Sequence, residues 1–254
     1  MSEHVSVMMP TFNTVQYVDG AVLSLLAQNN VDMDVLAYDD HSTDGTYERL
    51  QFWSSVDGRI RVTRPFREHG HYTDICNQLI EDASGEYVAR MDSDDLSLPE
   101  RLSTQKRFIE GRSKPALLGA MALTIIEEEG NRISNSFPWE STIIKPVASR
   151  ETPVNEAIRS HHRLIHGTLF SRKSDILNIG GYRDLFPIED WELSLRMADN
   201  GGEVFVLPDV LYMRRIHPLN ASKGHEGKLP AFEFINREYD LGLKSLPRSR
   251  PSNL

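Results

Sequence analysis

The 254-residue chain has a single cysteine, Cys76. One thiol excludes a disulfide framework and any multi-cysteine metal site, and makes a reducing compartment the default. No apolar run approaches the ~20 residues of a membrane span, and Met1-Ser2-Glu3-His4 lacks the basic and apolar regions of a signal peptide. The expectation is a soluble, cytoplasmic protein, with peripheral contact to the inner face of a membrane left open. Positive charge is also scarce. A formal net charge of -9 argues against a general nucleic-acid surface, which is normally basic. It leaves room for one phosphate pocket, since a metal ion can neutralise carboxylates and phosphates together. A glycine-rich, cation-bearing loop after the first strand is missing too: Pro10 to Gln16 holds neither glycine nor cation, which counts against a triphosphate cradle. There is no internal repeat.

What is present suits one globular unit, with 39% hydrophobic and 26% charged residues. Val5-Ser6-Val7-Met8-Met9 reads as a strand, and Val18, Val22, Leu25 and Leu26 then recur at helical spacing. A second strand follows over Met33 to Tyr38, then a loop from Asp39 to Gly45 and a helix carrying Leu50 and Trp53. Ile60-Arg61-Val62 reads as a third strand, and Ile75 with Leu79 marks a helix that stops near Ala83-Ser84-Gly85. This alternation implies a mainly parallel sheet with right-handed crossovers. After Phe108 the pattern weakens. Leu117 to Ile126 is a candidate long strand, Glu127 to Arg163 has no clear order, and a helix beginning near Asp190 ends at Asn200-Gly201-Gly202. Val204 to Leu207 is expected to be a short strand ending at Pro208. Phe232 to Leu241 suggests a short helix before a frayed tail at Pro247 to Pro251.

The most informative run is Tyr87-Val88-Ala89-Arg90-Met91-Asp92-Ser93-Asp94-Asp95, followed by Leu98-Pro99-Glu100-Arg101-Leu102. An apolar strand that ends in three carboxylates delivers a hard-cation site to its C-terminal end, before a helix opened by Pro99. An open α/β sheet binds ligands at that rim. Asn13, Asp39, Asp40, Asp92 and Asp94 each follow a predicted strand, so the rim would gather them from far apart in sequence. The alternative for Asp92, Ser93 and Asp94 is a polar turn or helix cap.

Several motifs together resemble family 2 glycosyltransferases of the GT-A fold. They are Pro10-Thr11-Phe12-Asn13, Asp39-Asp40-His41-Ser42-Thr43-Asp44-Gly45-Thr46, Gly85-Glu86-Tyr87 with Asp92-Ser93-Asp94-Asp95, and Pro99-Glu100-Arg101-Leu102. Gly180-Gly181-Tyr182, Glu189-Asp190 and Tyr212-Met213-Arg214-Arg215-Ile216-His217 complete the set. Each motif alone is weak, but their order and spacing are specific. The resemblance covers about Val5 to Ser222. It implies a Rossmann-like α/β fold with a mainly parallel central sheet flanked by helices and a smaller acceptor-side region. On this reading residues 1–222 form the GT-A domain, about 1–98 binding the nucleotide sugar and about 99–222 the acceptor, and 223–254 form a C-terminal extension.

The same resemblance implies inverting transfer from a nucleotide-diphosphate sugar, with UDP favoured, to an acceptor hydroxyl on a carbohydrate or a lipid-linked sugar, in surface polysaccharide, lipopolysaccharide or glycan synthesis. Mn²⁺ or Mg²⁺ would suit the carboxylate donors. Asp94 is then the leading metal ligand, Asp92 holds ribose or a metal-bound water, and Ser93 lies between them. Asp40 would accept from N3-H of uracil, while Pro10, Thr11, Phe12 and Asn13 floor the base and ribose. Asp190 would be the general base that inversion requires, with Glu189 beside it; the alternative is a pair of acids favoured by a helix N-terminus. Arg215 would offer planar donors to the diphosphate, and His217 would meet the metal or the diphosphate. A surface or core role is the alternative for that histidine.

Two departures from the family pattern stand out. His69-Gly70 is followed by Ile75-Cys76-Asn77 rather than an Ala-Arg-Asn run, leaving Arg67 as the one substitute arginine. The segment after Asp190 lacks the Gln-x-x-Arg-Trp run of processive synthases, which favours one sugar per encounter. A sugar-phosphate nucleotidyltransferase and a non-catalytic nucleotide-sugar-binding scaffold remain as rival readings.

Overall fold

The structure, a computed structural model, describes residues 3–64, 72–127, 132–134, 148–162, 164–218, 220 and 228–243. Arg67, the His69-Gly70 pair and the tail at Pro247 to Pro251 lie outside the described residues. The chain opens with β1 (Val5–Thr11), α1 (Val18–Leu26), β2 (Met33–Asp39), α2 (Thr46–Val56), β3 (Ile60–Thr63), α3 (Tyr72–Asp82) and β4 (Tyr87–Arg90). β1 and β4 are buried along their whole length, as strands covered by helices on both faces must be. Pro10 sits in β1 without cost because pairing to β4 ends at Met8↔Arg90, so its missing N–H faces no ladder partner on that side.

The second half contains β5 (Leu96–Ser97), α4 (Arg101–Glu110), β6 (Ala116–Ile126), β7 (Arg132–Ser134), β8 (Phe170–Arg172), α5 (Lys173–Asn178), α6 (Glu189–Asp199), β9 (Glu203–Ile216) and α7 (Lys228–Glu238). One sheet runs in the order β3-β2-β1-β4-β8-β6-β9-β5, with β7 on β6. The β3-β2-β1-β4 half is parallel, and β6 with β9 is also parallel. β8 joins the halves by antiparallel pairing to both β4 and β6. The fold class expected from the sequence is the one observed.

The short strand expected to end at Pro208 instead continues to Ile216. The register with β6 jumps from Ala120↔Leu207 to Met121↔Val210, so Pro208 and Asp209 fall in a bulge where no ladder N–H is needed. That continuation brings Arg215 and His217 to the rim. Residues of α7 and the turn after it, Ala231, Phe232, Ile235 and Tyr239, pack in the same buried core as β1, β4, β6 and α6.

Candidate functional site

The four polar residues after β4, three of them carboxylates, are each held in a different way. Asp92 Oδ1 pairs with the buried Arg90 guanidinium at 2.9 Å, and Asp92 N–H donates to Tyr212 Oη at 3.2 Å. Ser93 Oγ accepts from Thr14 Oγ1 at 3.0 Å. Asp94 Oδ2 lies 2.9 Å from His217 Nε2 and accepts from Asn220 Nδ2 at 3.1 Å. Asp95 is buried and takes Arg215 N–H on Oδ1 at 2.6 Å. Burial, together with the charges of Asp94 and Asp92, raises the Asp95 carboxyl well above the usual carboxylate range, which favours a neutral acid bracing the end of β9.

The end of β9 closes this cluster from the other side. Arg215 Nε donates to the Asp94 carbonyl at 3.0 Å, and its guanidinium lies 3.6 Å from Glu127 Oε1 and 5.0 Å from the centre of the Tyr17 ring. Tyr17 Oη donates to Glu127 Oε2 at 2.9 Å and its ring packs 4.6 Å from His217. Among the described residues no group of three His, Cys, Asp or Glu is placed to hold a metal ion. Asp94 and His217 nevertheless supply an oxygen and a nitrogen donor in contact across the two strands. That set fits Mn²⁺ or Mg²⁺, which take one or two protein ligands and complete their shell with substrate phosphate and water.

The β1 and β2 ends face each other along the same rim. Asp40 N–H donates to the Thr11 carbonyl at 2.9 Å, and Asn13, with φ of 50°, donates its N–H to Ser42 Oγ at 2.9 Å while its Oδ1 accepts from Thr43 N–H at 2.9 Å. These bonds fix the turn. Phe12 is left 59% exposed beside them, and Asp40 Oδ1 is buried without a hydrogen-bond partner among the described residues. An unpartnered carboxylate oxygen is costly, and the N–H of a bound base would relieve it. Asp39 is buried and accepts from Ser42 N–H, with Arg64 Nε 3.1 Å away.

Asp190 lies in the first turn of α6. Oδ1 accepts its neighbour's Trp191 N–H at 2.8 Å, and Oδ2 is 3.1 Å from His162 Nε2. Burial alone would favour the neutral acid. Contact with His162, the nearby His166 and the Trp191 N–H together outweigh it, holding Asp190 down at about 2. Glu189 moves the other way. Burial and the adjacent Asp190 charge raise it well above the carboxylate range, and its Oε2 is buried without a partner among the described residues. Two neighbouring carboxyls are thus pushed apart, one kept charged and the other neutral. His166, 3.5 Å from Glu189 Oε1 and 2.9 Å from Tyr182 Oη, is pushed down to about 4 by burial.

Three of these residues escaped the sequence reading. Arg90 could have been found, because a charge inside an otherwise apolar strand must be paired when buried. His162 carries no local signal, and Tyr212, though it opens the Tyr212 to His217 motif, meets Asp92 only through the β9 crossing. Gly167 lets Tyr212 approach Asp92: a Cβ there would lie 2.7 Å from Tyr212 Cζ and 2.8 Å from Asp92 Oδ2, so only glycine admits this close approach.

Comparison with known proteins gives a consistent result. The model of the family described as "Glycosyl transferase family 2" matches residues 6–175. The putative glycosyltransferase EpsE of Bacillus subtilis is 28% identical over 216 residues, covering 83% of this chain and 72% of EpsE. The amylovoran biosynthesis glycosyltransferase AmsE of Erwinia amylovora is 29% identical over 182 residues, with 72% and 64% covered. The Escherichia coli chondroitin synthase is 27% identical across 98% of this chain but only 35% of its own length. Among solved structures, S. aureus TarS 1-349 in complex with UDP-GlcNAc superposes with a TM-score of 0.74 at 21% identity, covering 92% of this chain and 66% of that one. That likeness establishes the GT-A fold.

Proposed function

The chain belongs to glycosyltransferase family 2, and from that premise we propose that it transfers a sugar, with inversion, from a UDP-sugar to a hydroxyl of a growing polysaccharide or lipid-linked glycan. One observation carries the reading. The ends of β1, β2, β4 and β9 bring Asp40, Asp92, Asp94, Arg215 and His217 to one rim, and Asp190, at the start of α6, is the carboxylate this reading assigns to the acceptor. Support for the donor comes from TarS, whose structures contain UDP and UDP-GlcNAc. The polysaccharide acceptor is supported by relatives named for amylovoran and chondroitin.

As the anomeric bond breaks, negative charge builds on the diphosphate. Interactions stronger with the charged leaving group than with the intact donor lower the barrier. Arg215 offers planar donors there. Asp94 and His217 would hold Mn²⁺ or Mg²⁺, which supplies charge neutralisation to the diphosphate. Asp40 and Phe12 hold the base, and Arg90 orients Asp92 toward the ribose. At the opposite side the incoming hydroxyl loses its proton at the Asp190 end of the site.

The test is incubation with UDP-glucose, UDP-galactose and UDP-GlcNAc in the presence of Mn²⁺, following UDP release with and without added glycan acceptors. Release that stops on chelation is the expected result. UDP-sugar binding without turnover would make the chain a scaffold, and formation of a UDP-sugar from UTP and a sugar 1-phosphate would make it a nucleotidyltransferase.

A further inference from the structure

We propose that Tyr17 is a positioning residue of the donor site: its hydroxyl holds the Glu127 carboxylate back and its ring carries Arg215, so that the guanidinium is left to meet the donor's diphosphate. The inference rests on the transferase reading above and concerns how that site is kept ready for its anion. Tyr17 stands at the start of α1, where its N–H donates to the Thr14 carbonyl at 2.9 Å and its carbonyl accepts from Ala21 N–H at 3.1 Å. Thr14 Oγ1 in turn donates to Ser93 Oγ, so the tyrosine is anchored to the loop that carries Asp92 and Asp94. Its ring packs 4.6 Å from the His217 ring and 5.0 Å from the Arg215 guanidinium carbon, and its Oη donates to Glu127 Oε2 at 2.9 Å. One side chain from the β1 side therefore touches three groups around the end of β9.

Glu127 directly follows β6, whose Ile125 and Ile126 pair with Arg215 and Ile216 of β9, so the register places an acid beside the arginine. A carboxylate and a guanidinium this close commonly join in a bidentate pair. These two do not: Arg215 Nη1 stays 3.6 Å from Glu127 Oε1, beyond hydrogen-bond reach. Arg215 Nε is spent on the Asp94 carbonyl at 3.0 Å, and among the described residues neither Nη atom makes a hydrogen bond. An aromatic face attracts the guanidinium without neutralising it, so the Nη groups keep the planar fork of donors that a phosphate takes. Burial and the hydrogen bond to Glu127 raise the Tyr17 hydroxyl to about 12, so it stays protonated and goes on donating.

Two substitutions separate these contacts. In Tyr17→Phe the ring and its packing on His217 and Arg215 remain, but Glu127 is released to turn onto the Nη groups, where it competes with the diphosphate. In Glu127→Gln the amide oxygen still accepts from the Tyr17 hydroxyl, and the competing charge is gone. The hydroxyl thus matters to UDP only while residue 127 is a carboxylate, a coupling that a double-mutant cycle measures. A hydroxyl with a purely structural role lacks that dependence, since its loss costs the same whichever side chain stands at 127.

The experiment measures Mn²⁺·UDP affinity by calorimetry for the wild-type chain, Tyr17→Phe, Glu127→Gln and the double variant, with urea unfolding to check that each is folded. Tyr17→Phe is expected to weaken UDP binding by roughly 2–5-fold, the size of a partly exposed ion pair that has to be broken first. Glu127→Gln should bind UDP at least as tightly as wild type, and the double variant should match Glu127→Gln. A Tyr17→Phe affinity equal to that of wild type overturns the proposal. So does a loss that persists at full size in the double variant, which would make the hydroxyl structural. Weaker binding by Glu127→Gln than by wild type overturns it as well, since the carboxylate would then be supporting Arg215 rather than competing for it. Each of these outcomes leaves the donor reading standing, whereas a wild-type chain that binds no UDP removes that reading and this proposal with it.

Discussion

At the scale of single residues, the site works by forcing chemically similar groups into different states. Asp95, Glu189 and Asp190 are all buried carboxyls, yet the first two are driven toward the neutral acid and the third is kept ionised because His162 and a backbone N–H face it. This makes Asp190→Asn informative. Asn keeps the shape of Asp190 and an Oδ1 that can still accept Trp191 N–H, so stability and UDP affinity should hold. Transfer should fall by roughly 10²–10⁴-fold, and transfer within a few-fold of wild type at saturating substrates would remove Asp190 from the chemistry. Gly167 gives a prediction of the opposite kind. A methyl group at 167 would press on Tyr212 and Asp92, so Gly167→Ala should cost about 1–3 kcal/mol in urea unfolding. Calorimetry should also show weaker UDP binding, because the displaced carboxylate is the one proposed to meet the ribose.

At the scale of elements, α6 is fastened by a buried ion network. Glu192 is fully buried and receives Arg196 Nε at 2.9 Å and Nη2 at 2.8 Å, with Tyr239 Oη donating at 2.6 Å and Arg183 at 3.3 Å. Arg196 Nη2 also donates to the Gly181 carbonyl at 2.6 Å, so it ties the turn at Gly180-Gly181 to the helix that carries Asp190. Removing one partner of a buried pair strands the other charge, and Arg196→Met should destabilise the chain by about 3–5 kcal/mol in urea unfolding. Pairing it with Glu192→Gln should recover a measurable part of that loss; a double variant no better than the single one would show that Arg196 acts through the carbonyls instead. Elements of the first half were legible because period and burial agree: β1, β2 and β4 are apolar runs closed by turn residues, and the termination of α6 at Asn200-Gly201 follows from Gly201 adopting φ of 80°. β9 was misjudged at Pro208 because a bulge is a property of the β6 partner, not of the strand's own sequence.

At the scale of the whole molecule, the rim is where the two halves of the sheet meet. Asp40 and Asp94 were legible because each follows an apolar strand, whereas the pairing of Asp94 with His217 depends on residues 123 apart in sequence, and that of Asp190 with His162 on a loop without periodicity. Binding of a UDP-sugar at this rim would bridge the β1-β2-β4 ends to the end of β9, so its free energy should stabilise the entire fold rather than one lobe. At a concentration 100 times the dissociation constant, Mn²⁺·UDP should add about 2.7 kcal/mol. For a chain of this size, where 1 kcal/mol corresponds to about 2–4 °C, the midpoint of a single cooperative transition should rise by about 5–10 °C. Mn²⁺ should contribute to that rise in wild type but not in Asp94→Ala, because losing the carboxylate leaves His217 as the one remaining protein donor of the pair. The variant itself should unfold close to wild type without ligand, since removing one of three clustered acids relieves repulsion while sacrificing the His217 and Asn220 contacts. An equal Mn²⁺-dependent shift in Asp94→Ala would place the cation elsewhere, and a rise confined to one of two separate transitions would mean that the rim does not couple the halves.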